Sequence, residues 1–365
     1  MRAGSAICAF WGICVLGSGV ADADWLSPVK QFLPPEAVAV QSGYGYSLDW
    51  YGDYLLVGGS DAYNPDAPTP QLAILFNYQT AEVLQIFMPP TGESTSRYGQ
   101  QVAIGESGVA ISAHQEVFFY GFDVANGSWI NTGSQAFSNK FYSAIGEHIS
   151  IDGNLLVVGS DHEEESGVLH IINLENDAPS QIVRPSELVP KQCRGCAGEL
   201  VPAEQRFGWG LDIDGNQMLV AGIDLNQDRH FTSRGSVYLY DITTMERQFK
   251  WQPATQYSNE DLYLGSRVAI NGNRSVASEF GRAYLFDNDN GDLIADLYPF
   301  PDDIHQMSGT STTGYYGRSV AIGEKYVAVM GSTLYDPRSQ FAVPGYRTPT
   351  LLGPVGIYLF DREDG

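Results

Sequence analysis

Positive charge is scarce in this sequence. Lys and Arg number 20 against 43 Asp and Glu, so the net charge is -23. A field of that sign repels phosphate backbones and anionic membrane surfaces unless a local basic patch intervenes, and no run of Lys or Arg supplies one. We therefore expect no nucleic-acid partner.

Charged residues of both signs are also few, and this scarcity bears on the fold class. They make up 17% of the chain, whereas hydrophobic residues reach 43% and glycines number 40. Such apolar content excludes a disordered chain, and the glycines indicate many turns between short strands. The composition therefore favours an all-β protein.

Recognisable catalytic motifs are missing. The sequence has no GxSxG, HExxH, P-loop or strand-following GxGxxG, so the common signatures of hydrolases and nucleotide enzymes are not met. An extracellular carbohydrate-active enzyme, either a polysaccharide lyase or a glycosidase, stays open as an alternative if scattered loop residues converge. Those residues are His114, His162, His230, Arg229, Tyr335 and Glu279.

Cysteine is nearly absent, with four in the chain. Cys8 and Cys14 belong to the N-terminal apolar stretch, which leaves Cys193 and Cys196 as a close pair. No second CxxC or HxxxH supplies the remaining ligands of a zinc site. In an oxidising compartment the pair predicts a local disulfide.

The N-terminus has the features of a secretory signal. Arg2 precedes an apolar stretch over 5–20, and Ala21-Asp22-Ala23 is a small-x-small cleavage site. A membrane anchor is the alternative, but an apolar stretch of about 16 residues falls short of the roughly 20 that a span requires. We expect residues 1–23 to be removed, leaving 24–365 secreted, periplasmic or on the cell surface, with no membrane span.

Internal repeats indicate the architecture. A pattern of a large apolar residue, Gly, alternating small and apolar residues, a tight turn and a Val/Leu/Ala run recurs about every 54 residues. Its six glycines are Gly45, Gly99, Gly146, Gly208, Gly265 and Gly317. Each copy continues into two more strand-like segments, and four antiparallel strands per repeat is the blade of a β-propeller. The predicted blades are 44–97, 98–141, 142–206, 207–263, 264–315 and 316–365.

The chain ends predict how the ring closes. The sixth copy stops after its third strand, while residues 26–33 resemble the fourth-strand segment that ends near Pro90. We therefore expect 26–33 to complete the last blade of a single six-bladed β-propeller over 24–365, which would leave no unpaired sheet edge at the closure.

The repeats resemble a known family, the FG-GAP repeat of integrin alpha-chain propellers, and more closely its bacterial secreted type. The residues that carry the resemblance are Phe207-Gly208, Ser319-Val320-Ala321-Ile322, Gly153-Asn154, Val157-Val158-Gly159 and Gly235-Ser236-Val237-Tyr238-Leu239-Tyr240-Asp241. The resemblance implies a propeller over 26–365 and a role such as adhesion. In integrins an Asp-rich loop between the first two strands holds calcium, but Asp212–Asn216 and Asp152–Asn154 are too short to wrap a cation.

One face of the predicted propeller carries the long loops. Second-to-third connections and inter-blade connections emerge on the same side, and they are much longer than the turns on the other side. Binding residues usually sit on long loops of a rigid scaffold. The positions after the repeat glycines also vary in kind, as a ligand pocket would require. The predicted ligand-binding residues are Tyr46, Glu147, Trp209, Arg318, Tyr335 and Tyr346.

Calcium is the one cofactor that the sequence suggests, and no other is indicated. Asp224, Asn226 and Asp228 are the nearest approach to a hard-cation ligand set, although solvated loop carboxylates are the alternative. The run from Asp287 to Asp292 looks more like a calcium motif, but it falls in a third-to-fourth hairpin, where we expect it only to form the turn. We predict a non-catalytic adhesion module for an extracellular protein or glycan.

Overall fold

The strands are short and follow the sequence repeat. The structure, a computed structural model, describes residues 32–33, 44–59, 71–90, 97–113, 116–136, 148–160, 163, 166–175, 180–185, 188–190, 200–202, 204–224, 234–252, 264–279, 282–297, 317, 319–332 and 355–363. These residues fall into two compact units, divided after Arg184 except that Arg206–Gly208 belong to the first. The two units are described separately.

Unit 1 contains three antiparallel sheets of four strands each. Sheet 1 consists of β1 (Tyr44–Tyr51), β2 (Tyr54–Gly59), β3 (Leu72–Asn77) and β4 (Val83–Phe87). Sheet 2 consists of β5 (Val102–Gly105), β6 (Gly108–Ser112), β7 (Glu116–Asp123) and β8 (Ser128–Ala136). Sheet 3 consists of β9 (His148–Asp152), β10 (Leu155–Ser160), β11 (Val168–Asn173) and β12 (Gln181–Val183).

Unit 2 contains three further sheets and a two-stranded ribbon. The ribbon pairs β13 (Leu188–Pro190) with β14 (Leu200–Pro202). Sheet 4 consists of β15 (Glu204–Asp214), β16 (Gln217–Asp224), β17 (Arg234–Asp241) and β18 (Arg247–Trp251). Sheet 5 consists of β19 (Arg267–Asn271), β20 (Arg274–Glu279), β21 (Arg282–Asp287) and β22 (Leu293–Leu297). Sheet 6 consists of β23 (Ser319–Ile322), β24 (Tyr326–Ser332) and β25 (Val355–Asp361).

Strand order within every one of these six sheets is a simple meander. Each strand pairs antiparallel with the next one in the chain, which is the strand order of a propeller blade. The all-β prediction is confirmed. Among the described residues, no helix has the length and apolar character needed to cross a bilayer.

The repeat glycines adopt the left-handed backbone conformation. Five of them are described, with φ from 80° to 95°: Gly45, Gly99, Gly208, Gly265 and Gly317. At Gly99 there is a second constraint, since an added Cβ would lie 2.4 Å from the carbonyl oxygen of Leu72. A side chain there would meet both a strained φ and the backbone of the preceding sheet. An added Cβ would also come within 2.8 Å of another residue at Gly208, Gly265 and Gly317, whereas nothing lies within 4 Å at Gly45.

Apolar side chains fill the seams between neighbouring sheets within each unit. The aromatic residue that ends an outer strand packs on the third strand of the next sheet. Phe87 contacts Tyr120 with ring centroids 4.7 Å apart, and Trp251 contacts Phe286 at 4.6 Å. Aromatic pairs of this kind contribute about 0.5–1.5 kcal/mol beyond the area they bury.

Two buried carboxylates join neighbouring first strands. Asp49 accepts hydrogen bonds from the amides of Trp50 and Ile104, both at 2.9 Å. In unit 2, Asp212 accepts in the same way from Ile213 and Ile270 at 3.0 Å. The two carboxylates are 4% and 2% exposed, so their bonds to the next sheet satisfy acceptors that would be costly to bury unpaired.

Candidate functional site

A buried carboxyl lies at the end of sheet 5 where the second strand connects to the third. Strand β20 ends at Glu279 and β21 begins at Arg282, so two residues connect them. Glu279 is 2% exposed. The equivalent position by register holds a small residue in the other five sheets, where it is Gly59, Ala113, Ser160, Gly222 or Gly331. Sheet 5 is therefore unusual in placing an acid at this position.

The carboxyl of Glu279 has one hydrogen-bond donor among the described residues. The hydroxyl of Tyr284 donates to Glu279 Oε1 at 2.6 Å. Glu279 Oε2 is buried, and no described residue donates to it. Buried polar atoms are almost always paired, so an exception is a reason to look for a role.

An ion pair extends this arrangement to the surface. Tyr284 and Asp296 are partners in the register of β21 and β22. Asp296 is bound by Arg282 at 3.0 Å, with side-chain exposures of 38% and 18%. Polar groups therefore run from the surface through Arg282 and Tyr284 to the buried acid.

Burial dominates the electrostatics of the acid. Desolvation raises the pKa of Glu279, and the nearby charge of Asp296 raises it further, against the hydrogen bond from Tyr284 and the charge of Arg282. Desolvation also raises the pKa of Tyr284, and the neighbouring carboxyl adds to that shift. A carboxyl with a raised pKa beside a phenol can hold a proton at mildly acidic pH, where an exposed glutamate would have lost it.

Unit 1 has a comparable pair of an acid and a ring in sheet 3. Glu163 Oε2 lies 2.7 Å from His170 Nε2, and the two side chains are 12% and 7% exposed. His170 is the third residue of β11, as Tyr284 is of β21. Ser160, which has the position of Glu279, has a buried hydroxyl with no partner among the described residues. The two sheets thus place different polar groups at equivalent backbone positions.

Two of the predicted ligand-binding residues lie at irregular points of first strands. Tyr46 falls within the register shift of β1, between Tyr44 and Ser47. Trp209 falls within the corresponding shift of β15, between Gln205 and Gly210, and is partly buried. A bulge redirects the side chains around it. Tyr46 and Trp209, each of which follows a repeat glycine, therefore lie at equivalent irregular points of their strands, as the alignment of the repeats predicted.

The other predicted site residues lie outside the described part of the chain. These are Glu147, Arg318, Tyr335 and Tyr346, the metal ligands Asn226 and Asp228, and the cysteines Cys193 and Cys196. Asp224 is the last residue of β16, where its backbone pairs with Arg234. The described residues contain no group of three or more His, Cys, Asp or Glu that could hold a metal ion. The ligand, calcium and disulfide assignments stay predictions.

Third-to-fourth turns account for many of the acidic residues. In sheets 1–5 an Asn or Asp side chain at this turn accepts a hydrogen bond at 2.8–2.9 Å from the amide two residues later, and Asp361 does the same at the end of β25. The acceptors are Asn77, Asp123, Asn173, Asp241, Asp287 and Asp361. This is the Asx turn. The prediction that Asp287 begins a turn is confirmed.

Sequence reasoning missed the bridging aspartates and the partner of the buried acid. Asp49 and Asp212 occupy the same place in repeats 1 and 4, within Leu-Asp-Trp and Leu-Asp-Ile, so aligning the repeats could have singled them out. Tyr284 could have been found by continuing the register across the two-residue connection after Glu279. From the sequence, Glu279 was assigned only to the scattered residues that could form the site of a carbohydrate-active enzyme.

No protein-family model matches the sequence, and no curated protein matches it. Among solved structures, the chain is similar to the β-propeller domain of Cps50 (Swd1) from Myceliophteria thermophila, at 12% identity over 78% of this chain and 82% of that one, with a TM-score of 0.44. It is also similar to Kluyveromyces lactis Hsv2p, at 11% identity over 80% and 75%, with a TM-score of 0.41. For apo AztD from Citrobacter koseri the identity is 11%, the coverage 69% and 58%, and the TM-score 0.37. The description of the sheets as blades rests on their own strand order and register.

Proposed function

We propose that this protein is an extracellular, non-catalytic binding module that holds a protein or glycan on the face bearing its long connections. The observation that carries the proposal is the asymmetry of the connections. First and second strands are joined by very short turns, such as 52–53 in sheet 1. Second and third strands are joined by longer connections in sheets 1, 3, 4 and 6, such as 60–71 and 333–354, but by only two or three residues in sheets 2 and 5. Long loops on rigid strands are the usual place for binding residues.

The predicted ligand residues belong to that face. Tyr46 is the third residue of β1 and Trp209 the sixth residue of β15, so both lie in the half of a first strand that follows the inter-blade connection. We propose that they contact the ligand together with Glu147, Arg318, Tyr335 and Tyr346. Aromatic rings combine a large apolar surface with hydrogen-bonding edges, which suits both sugar rings and protein side chains.

Closure into six blades is part of the proposal. In unit 1, Phe32 packs on Phe76 with ring centroids 5.5 Å apart, as Phe87 packs on Tyr120. This contact supports residues 26–33 as the fourth strand of sheet 6. The closed ring would be an FG-GAP-type propeller, exported by means of residues 1–23.

Binding should be tested directly on residues 24–365. The protein is screened against glycan arrays and matrix proteins, with calcium and with a chelator. Trp209→Ala should weaken binding at least tenfold, whereas Trp129→Ala, at a third-to-fourth turn, should leave it unchanged. Loss of binding in Asp224→Ala/Asp228→Ala, but not in the turn variant Asp289→Ala/Asp292→Ala, would support calcium. An effect of Trp129→Ala equal to that of Trp209→Ala would place the ligand elsewhere.

Glu279 favours one alternative, a carbohydrate-active enzyme. An acid with a raised pKa beside a tyrosine is the kind of group that protonates a leaving oxygen in glycoside cleavage. The alternative predicts that polysaccharides incubated with the protein release new reducing ends, and that Glu279→Gln abolishes the release. Binding without any chain cleavage in the wild type would exclude it for the sugars tested.

A further inference from the structure

We propose that Glu279 makes the loop-side end of sheet 5 sensitive to pH, so that loss of its proton loosens the connection between β20 and β21. The proposal concerns this carboxyl and its surroundings alone, and it holds whatever ligand the protein binds.

The first reason is the hydrogen bonding of the carboxyl. Ionised Glu279 would present two acceptor oxygens in a setting that is 2% exposed. Tyr284 satisfies Oε1, and no described residue satisfies Oε2. Leaving a charged acceptor buried without a donor costs more than leaving a neutral one, because the full hydration of the anion is lost.

The second reason is the charge around the carboxyl. The charged and titratable groups that act on it come from the next two strands: Arg282 and Tyr284 on β21, and Asp296 on β22. Arg282 is already engaged by Asp296, whose own charge opposes ionisation of Glu279. From sheet 4, Ala221 and Val237 belong to the apolar cluster that also contains Ala277 and Tyr284 of sheet 5. The negative charge would thus be incompletely balanced.

The third reason is that the fold does not need an acid here. In the five other sheets the same position holds Gly, Ala or Ser. The backbone on both sides is tightly packed in unit 2, because a Cβ on Gly317 would lie 2.7 Å from the carbonyl oxygen of Glu279 and 2.8 Å from that of Arg282. The backbone next to the carboxyl is therefore in close contact with Gly317, which precedes β23.

The direction of the effect follows from proton linkage. Burial raises the pKa of Glu279 above its ordinary value of 4.5, so the folded state binds this proton more tightly than the unfolded state does. The contribution to stability is fully present below the unfolded pKa and is lost as pH rises through the folded pKa. Each unit of upward shift corresponds to a tenfold loss in the folding equilibrium constant.

The opening is expected at the paired ends of β20 and β21, where Glu279 pairs with Arg282. Water that enters there can solvate Oε2, and Asp296 and Arg282 already reach the solvent beside it. Relief of a buried charge by local opening requires less free energy than global unfolding, because only a few backbone hydrogen bonds are broken. Amide exchange in β21 should therefore report the deprotonation.

The test compares residues 24–365 with Glu279→Gln in urea unfolding from pH 4 to pH 8. Near pH 4 the two proteins should be equally stable within about threefold in the folding equilibrium constant, and near pH 8 the glutamine variant should be at least about tenfold more stable, because the buried anion lacks a donor at Oε2. Amide exchange of 282–286, corrected for intrinsic rates, should accelerate with pH in the wild type and not in the variant. Glu246→Gln, which alters an exposed acid of the same unit, should follow the wild-type profile.

Two further variants keep the test decisive. If the amide introduced by Glu279→Gln disturbs folding, Glu279→Ala restores the small residue that the other sheets have there, and it should flatten the pH profile in the same way. Tyr284→Phe removes the donor to Oε1 and should move the wild-type transition to higher pH. Parallel profiles for the wild type and both Glu279 variants, or a wild type whose relative stability increases with pH, would overturn the proposal.

Discussion

In sheets 2 and 5 the second and third strands pair in the same register and are joined by connections of similar length. The side chains at this end of the two sheets differ in polarity. In sheet 2 a two-residue turn is closed by the Ala113 amide bonding to the Glu116 carbonyl, and Phe118 pairs with Ser134. The four equivalent positions in sheet 5 are Glu279, Arg282, Tyr284 and Asp296. Ala113 and Phe118 are each 1% exposed, so sheet 2 buries apolar groups where sheet 5 buries an acid and a phenol.

The difference separates what the blade requires from what one blade adds. Both sheets receive a buried carboxylate from the preceding sheet, Asp49 for sheet 2 and Asp212 for sheet 5. Both also receive an aromatic ring, from Phe87 and Trp251. These shared contacts hold the sheets side by side, whereas the polar cluster at Glu279 serves no common structural purpose.

The largest expected effect tests the shared aromatic contacts. Phe87→Ala and Trp251→Ala should each lower the free energy of unfolding by about 3–5 kcal/mol, because each leaves a cavity in an apolar seam. Chemical unfolding of the two variants should give similar losses. Phe122→Ala is the control, since that ring is 49% exposed, and it should cost under about 1 kcal/mol. A small loss of unfolding free energy in only one of the two variants would mean that the aromatic contact does not stabilise the two seams equally.

The bridging carboxylates should come next. Asp49→Ala and Asp212→Ala each leave two backbone amides without an acceptor, and each should cost about 2–3 kcal/mol in urea unfolding. Asp53→Ala removes an exposed carboxylate from a turn of sheet 1 and should be nearly neutral. Near-neutral behaviour of Asp212→Ala would show that water replaces the carboxylate between these strands.

Transplanting the acid sharpens the comparison. Ala113→Glu places a carboxyl in sheet 2 opposite Phe118, which has no hydroxyl to donate. We expect a loss of about 2 kcal/mol at pH 7 and a smaller loss at pH 4, because the buried anion is then protonated. Thermal unfolding of Ala113→Gln measures the steric part alone. Equal losses of stability for Ala113→Glu and Ala113→Gln at pH 7 would mean that the introduced carboxylate is solvated.

The smallest effect concerns the surface ion pair. Asp296→Ser gives sheet 5 the residue found in sheet 2 and removes the partner of Arg282. Because the carboxylate is 38% exposed, the loss should be no more than about 1 kcal/mol. Unfolding at low and at high NaCl should show the difference between the two proteins shrinking as salt screens the pair. A loss that is large and insensitive to salt would indicate a structural role for Asp296.

The sequence predicted the local structure well. The repeat glycines marked equivalent positions in successive sheets, and those that are described share a left-handed backbone conformation that other residues tolerate less easily. Asp287 was correctly assigned to a turn, because Asx turns depend on residues only two positions apart. Tyr46 and Trp209 were placed at equivalent positions by the same alignment.

The candidate site was harder to predict. Glu279 was named without its partner, because the pattern of the sequence does not give the burial of a side chain at the end of a strand. Asp49 was not named at all, since its partner Ile104 lies in the next sheet and carries no distinguishing side-chain signal. Backbone acceptors and donors are the same at every residue, so such contacts cannot be inferred from residue types.

By itself, the sequence determined that strands of period two, separated by short turns, would recur with a constant set of glycines, because backbone conformation depends on neighbouring residues. Only the tertiary structure decided that the carboxyl of Glu279 is desolvated with one donor among the described residues, while that of Asp212 accepts from the amides of Ile213 and Ile270. The reason is that the free energy of a buried charge depends on every group that surrounds it, and those groups are brought together from distant parts of the chain only when the sheets pack.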